Sequence, residues 1–203
     1  MDLMIDNLRK SYDGHVVLDG LTHTFPHGAL TCVTGRSGCG KTTLLRLIAG
    51  LEAPDAGSID GIPEGGIAMV FQEDRLPPQL CAADCLRCVL KKDSRREAAI
   101  AGALAALGLD HASDQPVREF SGGMRRRVAL ARALLFPSPL VLLDEPFKGL
   151  DADTRRRAID FTLPLLAGRT TLLVTHDPGD VADLGGTVLR LDNDSAPMTR
   201  SYH

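Results

Sequence analysis

The chain has 203 residues, enough for one domain that buries about 70% of the surface its unfolded form exposes. Its apolar fraction of 44%, charged fraction of 24% and net charge of -3 describe an ordinary globular surface without the basic bias of a nucleic-acid binder, so no nucleic-acid partner is expected. No run reaches the roughly 18 consecutive apolar residues of a spanning helix, and the opening MDLMIDNLRKSYDG is charged where a secretion signal is apolar, so a cytosolic location is expected.

In chain order, strands are predicted at Leu3–Leu8 and Gly20–Phe25, both alternating in polarity and bounded by Asp-Gly and Pro-His-Gly turns. The apolar run Ala29–Thr34 stops at Gly35, and a helical pattern covers Lys41–Leu51. Ile67–Phe71 reads as another buried strand. From Pro78 to Leu109 the strands cease, and two helical patterns flank the charged break KKDSRRE. A helix is predicted at Ser121–Leu135, a strand at Leu140–Asp144, a helix at Asp151–Ala167, and strands at Thr170–Thr175 and Thr187–Leu191. Strands alternating with helices imply an α/β fold with a mostly parallel sheet, interrupted by a short α-helical insertion at about residues 78–135 of a single domain spanning the chain.

The strand–loop–helix at residues 29–51 carries the first chemical motif. Gly35, Arg36, Ser37, Gly38, Cys39, Gly40, Lys41 and Thr42 match G-x-x-x-x-G-K-[ST] at every fixed position. Glycines there let backbone amides turn inward onto phosphate oxygens, and the helix that opens at Lys41 adds its dipole. Lys41 supplies a point charge for the β- and γ-phosphates, the Thr42 hydroxyl can ligate Mg²⁺, and Thr43 extends the cradle. A second motif is the strand Leu140–Leu143 ending in Asp144 and Glu145, where carboxylates leave the carboxyl end of a core strand. Asp144 can join the Mg²⁺ shell and Glu145 can polarise the attacking water. Cys81, Cys85 and Cys88 read C-x3-C-x2-C, a spacing that also holds iron–sulfur clusters. They fall on one helical face, where small apolar cysteines suit a buried stripe, and their role stays open.

The segment Phe120-Ser-Gly-Gly-Met-Arg-Arg-Arg-Val-Ala-Leu-Ala-Arg-Ala133 resembles the LSGGQ signature of the ABC ATPase family and the helix after it. Met124 and Phe120 are mild departures from that pattern. With this resemblance come a P-loop NTPase core, an N-terminal antiparallel β subdomain, and ATP and Mg²⁺ as cofactors. Ser121, Gly122 and Gly123 open a second anion-binding helix start, which in the family serves the ATP of a partner subunit. Tyr12 matches the aromatic that stacks on adenine. Gln72, after Met-Val-Phe, matches the glutamine that approaches Mg²⁺ and the water. Gly149-Leu-Asp151 resembles the loop that crosses the dimer interface, and His176 the switch histidine at the γ-phosphate. Lys148 departs from the pattern, which has small residues there.

The resemblance implies hydrolysis of ATP to ADP and phosphate, with Glu145, His176 and Gln72 catalytic and Thr42, Gln72 and Asp144 around the metal. It implies a second ABC ATPase subunit, a homodimer being the simplest closure, together with transmembrane permease subunits and an extracytoplasmic solute-binding protein. The chain would then sit peripherally on the inner face of the membrane. The wording FQEDRL is most like importers of the nitrate, sulfonate and taurine class. The alternative is a soluble ABC ATPase not coupled to transport, though such proteins usually carry long coiled coils or two cassettes.

Overall fold

Alternating polarity folds the first 25 residues into a hairpin. In the structure, a computed structural model that describes residues 1–191 and the backbone of 198–202, β1 (Leu3–Tyr12) and β2 (His15–Phe25) pair antiparallel from Leu3↔Phe25 to Tyr12↔His15. The turn residues Asp13 and Gly14 have φ of 50° and 81°, the left-handed pair that a two-residue hairpin turn demands. Leu3, Ile5, Leu8 and Phe25 are buried, whereas the tip is exposed and polar. For that reason alternation fades at Leu8 in the sequence, and both strands run further than it indicates.

There follow β3 (Leu30–Thr34), α1 (Lys41–Ile48), β4 (Ala56–Asp60), β5 (Ile67–Val70), α2 (Ala82–Arg87), α3 (Arg96–Ala106), α4 (Gly122–Leu135) and β6 (Leu140–Asp144). The chain continues with α5 (Ala152–Leu166), β7 (Thr170–Val174), α6 (Pro178–Leu184), β8 (Gly186–Arg190) and β9 (Met198–Tyr202). One sheet has the order β2-β1-β4 and is antiparallel. The other has the order β5-β6-β7-β3-β8-β9, with β6–β7, β7–β3 and β3–β8 parallel and β9 antiparallel to β8. This is the α/β architecture expected: a mostly parallel core, an antiparallel N-terminal sheet and a helical stretch. The strands β4 and β9 and the helix α6 were not foreseen. Helix α1 stops at Ile48 rather than Leu51, because Gly50 at φ 66° lets the Leu51 and Gly50 amides return to the carbonyls of Arg46 and Leu47.

The contacts divide into two compact units, residues 1–69, 138–144 and 168–203 in the first and 70–137 and 145–167 in the second. In the first, every residue of β6 and β7 is buried, and α1 covers those strands with Leu44, Leu45, Leu47 and Ile48. Runs apolar on both faces are what a covered parallel sheet requires. In the second, α2 packs on α3 and α4, and α3 and α4 pack on α5. Its buried residues include Leu86, Leu104, Leu107, Val117, Phe120 and Leu130.

Leu142 is 0% exposed and lies opposite Leu172. Leu142→Ala is expected to cost about 2–5 kcal/mol of unfolding free energy in a urea titration. A midpoint unchanged from wild type would contradict this packing.

Candidate functional site

Parallel register gives the first unit one functional edge. β7 lies between β6 and β3, with Asp144 opposite Val174 and Val174 opposite Val33. The carboxyl ends of the three strands therefore finish level, about 5 Å apart from strand to strand. The groups leaving this edge are the glycine loop after Thr34, the Asp144 carboxylate and the turn bearing His176. Ligands of open α/β sheets bind outside the carboxyl ends of the strands.

Two of the loop glycines have no alternative. A Cβ on Gly35, at φ 149°, would stand 2.2 Å from the Leu191 carbonyl oxygen and 2.7 Å from the Cys39 sulfur. Gly40 caps α1 at φ 98°, where a Cβ would meet Val17 and Leu18 side chains at 2.9 Å. Because Gly40 brings no capping side chain and the first turn of α1 holds no acidic residue, the amides and dipole there are left to an anion. Arg36, Ser37 and Gly38 are exposed, Cys39 is buried, and Thr42 and Thr43 are half-buried. Lys41 is 5% exposed, and its Nζ donates to the carbonyls of Gly35 at 2.9 Å and Arg36 at 2.8 Å and to Cys39 Sγ at 3.7 Å. These partners use its three donors yet are neutral, so the charge is not cancelled.

The other first-unit residues are held by local bonds. Asp144 is 1% exposed. His176 is exposed in a turn pinned by Thr175, whose hydroxyl donates to Asp180 at 2.5 Å and accepts the Asp177 amide at 3.0 Å. Tyr12 is exposed, donates its hydroxyl to Glu52, and has the Lys10 ammonium 5.4 Å from its ring centre. Partial burial, helped by the Glu52 carboxylate, raises its phenol above the ordinary value.

The second unit carries Gln72, Glu145 and the signature segment. Gln72 is exposed just beyond β5. Glu145 is 9% exposed at φ 49°, a left-handed conformation uncommon for a residue with a side chain. Both are tied to Arg126, which was not singled out from the sequence. Arg126 is 4% exposed, and its guanidinium donates to the carbonyls of Phe71 at 2.6 Å, Gln72 at 3.2 Å and Glu145 at 2.9 Å. Its Nη1 also meets the Asp74 carboxylate at 3.1 Å. A planar guanidinium holds its acceptors in a fixed fork, whereas a lysine donates from a single rotatable ammonium. In the sequence Arg126 stands three, four and seven residues before Ala129, Leu130 and Ala133, but Arg127 stands in the same way before Leu130, Ala131 and Leu134, so the helical period alone does not single it out.

Ser121 caps α4 as expected, its Oγ accepting the Met124 amide at 3.2 Å. Gly122 is exposed and Gly123 half-buried behind it. Asp151 caps α5 through the Thr154 amide at 3.0 Å, and this bond holds its carboxyl below the usual range. Lys148 reaches back to Glu145, Nζ to Oε2 at 2.5 Å. Of the cysteines, Cys81 caps α2, Cys85 is buried within it and Cys88 is exposed. Burial pushes the Cys85 thiol up to about 11, so it stays protonated at neutral pH. Among the described residues, no three His, Cys, Asp or Glu side chains gather to hold a metal ion.

The profile of the ABC transporter family matches residues 18–148. The aliphatic sulfonates import ATP-binding protein SsuB 1 of Nocardia farcinica is 44% identical over 191 residues, which cover 93% of this chain and 77% of that protein. The chain belongs to the ABC transporter family. It is an ATP-binding subunit with the ABC ATPase fold and activity. The aliphatic sulfonates import ATP-binding protein SsuB 2 of Agrobacterium fabrum is 43% identical over 198 residues, 94% of this chain and 76% of that one. Among solved structures, a dimeric bacterial ABC transporter cassette superposes with a TM-score of 0.84 at 25% identity, covering 98% of both chains.

Arg126→Met keeps the stem and removes every polar contact of the guanidinium, leaving Asp74 without its buried partner. A loss of about 3 kcal/mol in unfolding free energy is expected, measured by denaturant titration. A loss below about 0.5 kcal/mol, the range of ordinary surface changes, would show that the carbonyl contacts carry no weight.

Proposed function

We propose that this chain is the ATP-hydrolysing motor of a membrane importer for solutes of the nitrate, sulfonate and taurine class. The observation that carries the reading is the level edge of β3, β7 and β6. There a glycine cradle with a buried lysine shares one sheet end with a buried carboxylate. The Nocardia and Agrobacterium relatives, both aliphatic sulfonates import ATP-binding proteins, favour aliphatic sulfonates as the solute.

ATP is held with its phosphates on the amides of residues 35–43 and its adenine on Tyr12. Lys41 exchanges its carbonyl partners for phosphate oxygens, a favourable move because a phosphate answers its charge and a carbonyl does not. The donor chemistry suits Mg²⁺, a hard cation that takes oxygen ligands: the Thr42 hydroxyl and the Asp144 carboxylate would hold it, and the Gln72 amide oxygen would add a third donor. When bound, this ion neutralises charge on the β- and γ-phosphates. Glu145 orients a water and accepts its proton as the water oxygen bonds to the γ-phosphorus and the bond to the β–γ bridging oxygen breaks. His176 steadies the γ-phosphoryl group, and ADP and phosphate leave. The helix start at Ser121, Gly122 and Gly123 serves the ATP of a second copy, which makes a symmetric homodimer the simplest closed assembly. The dimeric cassette with the same fold supports that closure.

Among the described residues no helix is long and apolar enough to cross a membrane. Separate permease chains therefore supply the spanning part, with this subunit peripheral on their cytoplasmic side and a solute-binding protein on the other. Glu145→Gln is expected to keep ATP affinity and lose about 10²- to 10⁴-fold in turnover, measured by phosphate release. Near-normal hydrolysis would remove Glu145 from this role. Purified with ATP from detergent-solubilised membranes of its host, the same variant is expected to bring a multi-span chain with it. Recovery of soluble protein alone would overturn the importer and favour an ABC ATPase not coupled to transport. Lys41→Ala is expected to weaken ATP binding by about tenfold or more, the loss of a charge-assisted contact, in an equilibrium titration.

A further inference from the structure

The turn after β6 brings a cation onto the carboxylate assigned to the water. The Glu145 carbonyl accepts the Lys148 amide at 3.2 Å, closing a tight turn that sets both side chains on one side. The Lys148 ammonium then lies 2.5 Å from Glu145 Oε2. The carboxylate is almost covered, its side chain 10% exposed, whereas the lysine side chain is 60% exposed and reaches in from solvent. Glu145 is thus held at both ends, its carbonyl by the buried Arg126 at 2.9 Å and its carboxylate by Lys148. Its backbone at φ 49° is a left-handed conformation that persists only where the surroundings hold it.

We infer that Lys148 is a positioning residue that restrains Glu145: it engages one carboxylate oxygen and sets the direction of the other. The inference rests on the assignment of Glu145 as the group that activates water. An oxygen that accepts a charge-assisted bond from an ammonium has a lone pair committed, and water must compete for it. The partner is mobile and mostly solvated, so the restraint is shallow and reversible, unlike a buried pair. Lys148 stands where the family pattern has small residues, which bring no cation to this point. The turnover of the uncoupled subunit is accordingly lower than the rest of its machinery permits.

The test compares steady-state ATP hydrolysis by the purified full chain and by Lys148→Met, Lys148→Arg, Glu145→Gln and the Lys148→Met/Glu145→Gln double variant. Lys148→Met is expected to raise kcat about two- to five-fold with KM for ATP unchanged, the scale of one exposed ion pair. Lys148→Arg keeps the wild-type rate, and the double variant is no faster than Glu145→Gln alone. A fall in kcat for Lys148→Met would overturn the proposal by showing that the cation assists the reaction. An unchanged kcat would overturn it by reducing the pair to a surface contact. An equal acceleration in the Glu145→Gln background would show that Lys148 does not act through Glu145. Failure of the underlying reading is seen separately, as near-normal hydrolysis by Glu145→Gln with Lys148 intact.

Discussion

The parallel register of β6, β7 and β3 is the constraint on which the site depends. Leu142 opposite Leu172 and Cys32 opposite Leu173 fix these strands by burying their side chains on both faces. Because side chains alternate across a strand, a slip of one residue would exchange the two buried faces, so the packing tolerates one register. That register makes the three strands end together. The polar groups that follow are therefore delivered to one edge by hydrophobic packing, with no polar contact needed to gather them. Asp144 is the clearest consequence, a carboxylate kept 1% exposed because the apolar strand it ends is buried to its last residue.

Two buried cations organise the loops that the strands leave loose, and both do so through main-chain carbonyls. Lys41 draws in the carbonyls of Gly35 and Arg36, and Arg126 those of Phe71, Gln72 and Glu145. A carbonyl satisfies a donor without cancelling its charge, so the two sites differ in what remains. At Arg126 the Asp74 carboxylate supplies the counter-charge, and the result is a structural clamp. At Lys41 the partners are two carbonyls and a thiol, which leaves a buried positive charge beside a helix N-terminus. Such a charge is costly to bury, and an anion relieves it.

What was legible in the sequence follows the strength of local pattern. Buried strands such as Leu140–Asp144 and Thr170–Val174 read clearly, because five apolar-rich residues between turn formers have few other readings. The glycine loop was equally plain, since Gly35 and Gly40 sit where a Cβ would collide with Leu191, Val17 or Leu18. By contrast β4, Ala-Gly-Ser-Ile-Asp, is a mostly exposed sheet-edge strand, and what binds it is pairing with β1 rather than any pattern of its own. α6 is seven residues long and starts at a proline, too short to show a period. Arg126 was hidden by its neighbours: in Arg125-Arg126-Arg127 composition cannot say which arginine is buried, and the helical period does not separate it from Arg127, which stands three, four and seven residues before the equally buried Leu130, Ala131 and Leu134. Lys148 was visible as a departure, but that it folds back on Glu145 depends on a turn of defined geometry.

The two anion-binding helix starts differ in a way that suits different duties. α1 is capped by Gly40 in a left-handed conformation, with no side chain to take any amide of the first turn. α4 is capped by Ser121, whose hydroxyl already takes the Met124 amide. A helix start with one amide satisfied is stable by itself and asks less of a ligand. A start with none satisfied relies on its ligand and gains more from it. Under the proposed function, α1 would be the permanent seat of the phosphates and α4 a site that can be presented and withdrawn. The partition matches an ATP held by one subunit and touched only intermittently by the signature of another.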